Sequence, residues 1–582
     1  MEIYKRVVIL IILANAFAQC GNKNSVQTSS TTINPNTEID QTKDLNIADI
    51  LQYVQTNNGK LNDSNFVTNV ADVQAFYNSK NNRTVWSKKS EFTALANSLQ
   101  LFIEHSMEYG LFPEDYHITN LKKLRNQLLL QNANASTILA QGDILYTDAF
   151  LQLATHLKKG RLAKDSITIS ADSSLKTSYF VTVLNTVIDN KKLVETLQSL
   201  EPTLKDYKAL RTALPSFLAT MDLNKYTYVV YPNKDSLQLV KSVMKRLYEA
   251  GVATTNSPKP DSITYVNTVT KYQKAKGLKP TGKVNNEMAK SLNTSDWYRF
   301  KRIAATLDKY KTLTTTLPET YVWVNLPSYK LKVVNHDTVV MTSKVIIGKT
   351  TNRTPELNSE ISNIVLYPTW SVPYSIAMKE MLPIAKRNPG YFARRGFKVF
   401  NNRGKQVDPY SVNWSRYSKS VPFNFRQNEG GGNALGVIKF NFENPYSVYL
   451  HDTNQRYMFE RDFRALSHGC VRVHLWDSVA RYLITQSHAY YPNYDFLKKD
   501  SITPTNDTIT YTQSILRDSS FIIADSLHRY MAKKKNMALL MQKKIPIFIR
   551  YYGCEAQDGK VVFFDDVYNE DKSVIDQYFS KK

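Results

Sequence analysis

The spacing of apolar residues changes along this chain from a helical period to an alternating one. Within residues 46–230, apolar positions recur every three or four residues, as in Leu95, Leu99 and Phe102. That interval places them on one face of an α-helix. We therefore predict an α-helical scaffold domain over residues 46–230.

A smaller helical unit follows in residues 236–293. Apolar residues predict one helix around positions 237–247 and a second over 266–276. A third, shorter helix is predicted near Met288, after a turn at Gly282. The three helices together predict a small separate module.

From about Glu319 the apolar positions alternate, which predicts β-strands. Residues 331–334 and 338–345 are predicted to pair as a hairpin around Asn335-His336-Asp337. We therefore expect a β-rich domain over residues 319–492.

Two further segments accompany the β-rich domain. Residues 375–432 are mixed basic and aromatic, and an insertion of that length predicts a lid. After a polar stretch, a helix and a strand over 545–551 are predicted, so residues 493–582 form an extension that packs on the domain. The fold class predicted for the whole chain is multidomain α+β.

Residues 1–19 combine a short basic start with an apolar run, which is typical of a secretion signal. Cleavage after the small residues ending at Ala18 would release a soluble protein, whereas a lipobox would leave a lipidated Cys20. The Ser-, Thr- and Asn-rich residues 20–45 predict a flexible tether. We expect a protein that leaves the cytoplasm, and the lipid anchor is the favoured alternative.

Length and composition limit the number of domains and the classes of partner. A chain of 582 residues with 42% hydrophobic content is long enough for about three or four packed domains. The net charge of +24 favours contact with an anionic envelope polymer or acidic lipid, or is simply a basic solvated surface. The sequence contains no zinc finger, RNA-recognition signature or basic helix, so nucleic acid is not favoured as the partner.

The chain has only three cysteines, one of them in the signal region, so a disulfide framework is not expected. Cys470 stands in the run Ser467-His468-Gly469-Cys470 and is favoured as a reactive thiol. A thiol with an ordinary pKa of about 8.5 needs a neighbouring base to become a nucleophile at neutral pH. His451, at the end of a predicted strand, is the better candidate for that base.

The other polar groups of the run are given supporting roles. His468 is too near Cys470 in sequence to face it, so it is expected to orient the loop or contact the acyl group. Gly469 is expected to leave backbone N–H groups free for an oxyanion. Arg472 can bind a substrate carboxylate or a loop oxygen near Ser467.

A metal site is the competing interpretation of the same residues. His468, Cys470 and His474 could bind zinc, with Asp452 or His451 as a further ligand. Their spacing fits no common zinc motif. We therefore expect no metal and no organic cofactor.

These motifs resemble a known family. His451 followed by Ser467-His468-Gly469-Cys470 is similar to the signature of the L,D-transpeptidase catalytic domain, a β-rich cysteine enzyme of bacterial wall synthesis. From about residue 50 to the C-terminus, the chain resembles the large multidomain subgroup of this family, which also carries Arg at the position of Arg472. Further matching segments are Tyr367–Pro373, Arg426-Gln427, Gly430, Asn433–Gly436 and Tyr449–Thr453.

Residues 236–293 resemble the peptidoglycan-binding module found in many wall enzymes. The matching residues are Tyr272-Gln273, Gly277-Leu278 and Gly282. Lys279-Pro280-Thr281 stands where that family often has an acidic turn. Glycan binding and plain helical packing are therefore both open for this module.

The resemblance implies a reaction and its residues. The Cys470 thiolate would attack a tetrapeptide donor stem, release D-Ala, and pass the acyl group to an acceptor amine as a three-to-three cross-link. His451 would be the base, oriented by a backbone carbonyl near Asp452, and His468 with the N–H groups of Gly469 and Cys470 would hold the oxyanion. The implied substrate-binding residues are Tyr367, Trp370, Arg426, Asn433 and Arg472.

The implied partners are peptidoglycan stems and glycan, and other wall-synthesis proteins, in the periplasm. Water as acceptor would instead give an L,D-carboxypeptidase or another thiol hydrolase, and a non-catalytic wall-binding scaffold is disfavoured because Cys470 and His451 are both present. Cys554 is expected to be an incidental, partly buried thiol. The alternative is a redox switch that pairs Cys554 with Cys470.

Overall fold

The computed structural model describes residues 46–491 and 522–579, apart from positions 63–64, 131–133, 225 and 277. The expected signal peptide, tether and lipidated Cys20 lie outside the described residues. So do Gly277 and the start of the extension expected from residue 493. Within the described ranges, no helix has the length and apolarity needed to cross a membrane.

The N-terminal region is helical, as the three-to-four spacing predicts. Its longest helix, Ala135–Lys158, is buried along most of its length, and most of the other helices pack around it. Two short hairpins, strands β1 to β4, lie between the first helices: Lys60–Asn62, Asn65–Phe66, Ser87–Lys88 and Glu91–Phe92. The other α-helices are Ile47–Thr56, Val70–Ser79, Ala94–Glu104, Ile118–Leu129, Thr177–Asn190, Leu193–Ser199 and Lys205–Ala219, with short 3-10 helices at Ser106–Tyr109, Pro113–Tyr116 and Ala171–Ser174.

Buried carboxylates brace this helical region. Asp143 accepts hydrogen bonds from the Val85 and Trp86 N–H groups and from the Ser87 hydroxyl, which ties the second hairpin to the long helix. Asp148 accepts from two backbone N–H groups and from His117 Nε2 at 2.8 Å. Because buried charge is costly without partners, these contacts have a structural role.

The three helices expected within residues 236–293 are Ser236–Glu249, Ser262–Ala275 and Asn286–Asn293. Each begins after an Asp or Asn whose side chain accepts an N–H of the first turn. Gln273 is buried and bonds both the Gly282 N–H and the Lys283 carbonyl. A Cβ on Gly282 would stand 2.7 Å from Val266, and its φ of +67° favours glycine, so these motif residues fix a turn.

The β-rich domain is built on a nine-stranded sheet. Its order is β15-β7-β16-β14-β13-β8-β17-β5-β6, and β7 also pairs with β6, which closes the sheet on itself. The hairpin expected around residues 335–337 is the β6–β7 pair. The strands are β5 Thr320–Asn325, β6 Lys330–Asn335, β7 Thr338–Gly348, β8 Leu357–Leu366, β13 Ile438–Phe442, β14 Leu450–His451, β15 Ala465–Ser467, β16 Val471–Val473 and β17 Met537–Arg550.

The inserted segment folds as a separate small layer. Four strands in the order β11-β10-β12-β9 form its sheet: β9 Trp370–Ser371, β10 Phe397–Asn401, β11 Gln406–Val407 and β12 Phe423–Gln427. Its own aromatic core includes Phe392 stacked on Phe425 with centroids 5.1 Å apart. Its helices are Tyr374–Ile376, a π-turn at Ala377–Met381, Leu382–Arg387 and Tyr391–Arg394, with 3-10 turns at Pro409–Ser411 and Trp414–Arg416.

The C-terminal segment differs from the extension that the sequence predicts. Strand β17 lies inside the main sheet, parallel to β5 and antiparallel to β8. Its buried Ile545, Ile547 and Ile549 belong to the core of the β-rich domain. The local pattern predicts this strand but not its neighbours, because both partners are distant in sequence.

The remaining elements cover the sheet and join it to the helices. Helix Trp476–Ser487 and helical residues 522–532 pack on its core. Strands β18 Cys554–Gln557 and β19 Lys560–Phe563 form a hairpin, followed by helix Glu570–Tyr578. Helix Asp296–Lys311 lies between the scaffold and this C-terminal hairpin. The predicted multidomain α+β class is confirmed.

Candidate active site

Three neighbouring strands bring the candidate reactive groups onto one face of the sheet. Strand β14 pairs in parallel with β16, with His451 opposite Arg472. Cys470 directly precedes β16, and alternate residues of extended chain share a face. Cys470 and Arg472 therefore lie on the same face as His451.

Two residues that the sequence analysis gave no role complete this face. Lys439 on β13 is directly opposite His451 in the antiparallel pairing. Its Nζ stands 4.0 Å from the centroid of the Tyr449 ring. The Tyr449 and His451 rings are 5.6 Å apart. We call Cys470, His451, Arg472, Lys439 and Tyr449 the β13–β16 cluster.

Cys470 is a free, half-buried thiol. Its Sγ lies 3.9 Å from the Ser447 carbonyl oxygen. Burial raises the pKa of the Cys470 thiol, while hydrogen bonds at Tyr449 and the charges of Lys439 and Arg472 act in the opposite direction. The resting side chain at neutral pH is therefore the thiol.

His451 is buried at 4% exposure. That burial, followed by the nearby Arg472 cation, lowers the pKa of His451 to about 3. Hydrogen bonds with backbone groups of Asp452 and Leu435 act in the opposite direction. The imidazole is therefore neutral at physiological pH and can accept a proton.

The Asp452 side chain supports the loop beside His451. It accepts hydrogen bonds from the Val437 N–H and from Arg456 Nη1 at 2.7 Å. Burial raises the pKa of Asp452, and these donors oppose the rise. The carboxylate holds the start of β13 to the segment after β14, which fixes the strand that carries Lys439.

The Ser467–Cys470 loop differs from the expected oxyanion site. The Gly469 N–H is not free, because it donates to Ser467 Oγ at 3.1 Å. Ser467 Oγ in turn donates to the Cys470 carbonyl at 2.6 Å. The Gly469 carbonyl accepts from Thr354 Oγ1 at 2.7 Å. Ser467 thus shapes the turn that leads to Cys470.

His468 faces the inserted layer. Its Nε2 lies 2.5 Å from Oε1 of Glu380, which belongs to the π-turn of that layer. The expected role in orienting the loop fits this contact, whereas an oxyanion contact would require the ring to turn away from Glu380.

The five expected substrate-binding residues occupy different places. Asn433 is buried, and its side chain bonds the Pro368 and Asn428 carbonyls and the Leu435 N–H. Its amide groups therefore make hydrogen bonds within the chain, and its contact with substrate stays a prediction. Tyr367 is also buried, with a positive φ of 44°, and its carbonyl accepts from Asn536.

The other three lie on strands: two on the inserted sheet and one on β16. Trp370 is half-buried on β9 and hydrogen-bonds Tyr449. Arg426 stacks over Phe400 on the inserted sheet, 5.1 Å from the ring centroid. Arg472 Nη1 donates to Gln455 at 3.2 Å, which turns the guanidinium toward the segment after β14.

Lys439, Tyr449 and Glu380 were missed by sequence reasoning. Tyr449 could have been found, since a residue two positions before His451 shares its face of a strand. Lys439 also had a signal, because it stands in the otherwise apolar run Val437–Phe440. Glu380 had none, because its partner His468 comes from a distant segment.

The second described cysteine is separate from this cluster. Cys554 is completely buried at the start of β18, with Sγ 3.4 Å from Thr306 Oγ1. Burial raises the pKa of Cys554 to about 12. It is free in the structure and more deeply buried than the sequence analysis expected.

Comparison with known proteins assigns two regions of this chain to families. The family model of the L,D-transpeptidase catalytic domain matches residues 319–486, and that of the Scaffold domain matches residues 71–214. A Haemophilus influenzae protein named "Putative L,D-transpeptidase" is 30% identical over 253 residues, which are 44% of this chain and 45% of that protein. The chain thus matches about half the length of this curated relative.

A solved structure of the Ldtfm-avibactam carbamoyl enzyme covers 29% of this chain and 53% of its own, at 14% identity and a TM-score of 0.14. A likeness that slight carries no argument. The family matches identify residues 319–486 as an L,D-transpeptidase catalytic domain and residues 71–214 as a Scaffold domain. The resemblance stated from the sequence motifs is confirmed.

Proposed function

We propose that this chain is a peptidoglycan L,D-transpeptidase that uses Cys470 as its nucleophile. The observation that carries the proposal is the β13–β16 cluster, which places a free thiol and a neutral imidazole on one face of the matched catalytic domain. A thiol nucleophile needs a base and a nearby donor for the oxyanion. His451 and the Cys470 N–H fill these roles.

The first half of the proposed reaction is acylation of Cys470. The Cys470 proton passes to His451, and the sulfur attacks the carbonyl carbon before the terminal D-Ala of a tetrapeptide stem. The amide C–N bond breaks, and D-Ala leaves as an amine that takes the proton from His451. The stem remains on Sγ as a thioester.

In the second half, the side-chain amine of an acceptor stem attacks the thioester. His451 removes the excess proton from the attacking nitrogen, and the C–S bond breaks to restore the thiol. The product is a three-to-three cross-link. The net positive charge of the chain favours an anionic wall as partner, so we place the enzyme in the cell envelope, in the periplasm.

The test is mass spectrometry of the purified protein and of muropeptides after incubation with tetrapeptide substrate. We expect a mass increase of Cys470 by the acylated tripeptide and the appearance of three-to-three dimers. Cys470→Ala should abolish both, because no covalent intermediate can form without the sulfur. Cys554→Ala, which removes only the buried thiol, is the matched control and should leave both unchanged.

Two outcomes would contradict the proposal. Dimers made by Cys470→Ala at the wild-type rate would end the nucleophile assignment. Tripeptides without dimers would assign water as the acceptor, and hence an L,D-carboxypeptidase.

A further inference from the structure

The cluster contains an amine for which the proposed reaction has so far given no role. Lys439 projects from the central strand β13, opposite His451. It is half-buried, and the apolar Ile438 and Phe440 on either side of it in sequence point to the opposite face of the strand. Burying part of a lysine side chain in a sheet is costly unless its charge is used. No carboxylate among the described residues pairs with it.

The contacts of Lys439 point toward the thiol. Its Nζ stands over the Tyr449 ring at 4.0 Å, within the range of a cation–π contact. Tyr449 in turn lies beside Cys470, since the Val471 N–H bonds the Tyr449 carbonyl at 3.1 Å. The ammonium is therefore held on the face where a thiolate would form.

We propose that Lys439 is a positioning residue whose ammonium, held over Tyr449, stabilises the Cys470 thiolate. This rests on the proposed role of Cys470 as the nucleophile. Tyr449 fixes the place of the charge, and the charge favours the reactive form of the sulfur. Lys439 thus has the role that an imidazolium has in other thiol enzymes.

The other groups around Cys470 are less suitable than Lys439 as a source of positive charge beside the thiolate. His451 is neutral, because its pKa is lowered to about 3. Arg472 is a cation, but its Nη1 is directed to Gln455 and to Met458 Sδ. The groups that face Cys470 or its loop are Lys439 on β13, Tyr449 just before β14, His451 on β14, Arg472 on β16, and the His468–Glu380 pair.

The directions of the pKa changes agree with this arrangement. Burial lowers the pKa of Lys439, and the nearby Cys470 raises it again. The Lys439 charge correspondingly opposes the rise that burial causes in the Cys470 pKa. Removing the charge should therefore raise the thiol pKa further.

The experiment measures the rate of Cys470 alkylation by iodoacetamide against pH in the full chain, with Cys20→Ser and Cys554→Ala so that one thiol is followed. For Lys439→Met we expect the midpoint to rise by about one pH unit, a tenfold slower reaction at neutral pH. Lys439→Arg should keep the midpoint near that of the parent. Lys245→Met, which removes a lysine beside Glu249 in the helical module, is the matched control.

An unchanged midpoint in Lys439→Met would overturn the inference, as would an equal shift in Lys439→Arg, because charge would then not be the cause. Near-ultraviolet circular dichroism checks folding, and Lys439→Gln replaces Lys439→Met if the latter is misfolded. Alkylation needs no stem peptide. A protein that shows the shift but makes no cross-links would retain this inference and lose the proposed function.

Discussion

At the scale of single residues, burial favours the neutral forms of both Cys470 and His451. It raises the pKa of the Cys470 thiol and lowers that of His451 to about 3. The resting site is therefore a neutral thiol beside a neutral imidazole. Proton transfer to His451 must accompany attack on the substrate, where nearby cations and the oxyanion donor compensate the charge that develops.

This assignment separates the two histidines near the thiol. His451→Gln should lower the acylation rate by on the order of 100-fold, because it removes a general base while keeping a polar side chain. His468→Ala should cost less than about tenfold, because a partly exposed pair with Glu380 is worth about 1 kcal/mol at most. Stopped-flow acylation of both variants is the measurement. A larger loss in His468→Ala would reverse the two roles.

At the scale of elements, the inserted layer is a folding unit joined to the sheet through few contacts. Its core is separate from that of the main sheet. Strand β9 enters it and β12 leaves it, and these two strands pair at Ser371 and Arg426. The Glu380–His468 contact then brings the layer against the catalytic loop. We therefore expect the layer to hold a donor stem near Cys470.

The pairing of β9 with β12 defines how to remove the layer. Replacing residues 373–424 by a short Gly-Ser turn keeps the Ser371–Arg426 pair and removes Glu380. We expect the main sheet to stay folded and turnover on intact sacculi to fall at least about tenfold, because the donor stem is no longer positioned. Muropeptide release and circular dichroism are the measurements.

A smaller change separates positioning by the layer from the single ion pair. Glu380→Gln keeps the layer and weakens only its contact with His468, so its loss of turnover should be the smaller one. Full activity of the shortened protein on sacculi would show that the layer takes no part in the reaction.

At the scale of the whole molecule, one buried helix joins the scaffold to the catalytic sheet. On helix Asp296–Lys311, the Asp308 carboxylate accepts the Arg161 N–H from the scaffold at 3.0 Å. Arg302 on the same helix pairs with Asp571 at 2.8 Å and donates to the Gly553 and Phe564 carbonyls. The C-terminal residues are thereby held to the scaffold as well as to the sheet.

Arg302→Met should destabilise the protein by about 3–5 kcal/mol, because Asp571 would stay buried without its main partner. Lys290→Met, which breaks the exposed Lys290–Asp565 pair, is the matched control and should cost about 1 kcal/mol or less. The measurement is the midpoint of urea unfolding. Similar midpoints for the two variants would show that the buried pair does not brace the molecule.

Local pattern was enough for much of the fold. The three-to-four spacing located the helical region, and alternation located the β6–β7 hairpin, because both signals depend on neighbours in sequence. The same reasoning could not place β17, whose partners β5 and β8 come from far along the chain. It therefore treated a central strand as an appended extension.

The sequence by itself determined which groups are candidates for the reaction, because the order of His451, Gly469 and Cys470 carries the motif. Tertiary structure alone decided how they work. It places Lys439 opposite His451 on the neighbouring strand and pairs His468 with Glu380. It also makes the Gly469 N–H donate to Ser467 within the same loop. Each of these depends on which distant segments meet and how deeply they bury the groups between them, and burial sets the pKa values on which the chemistry depends.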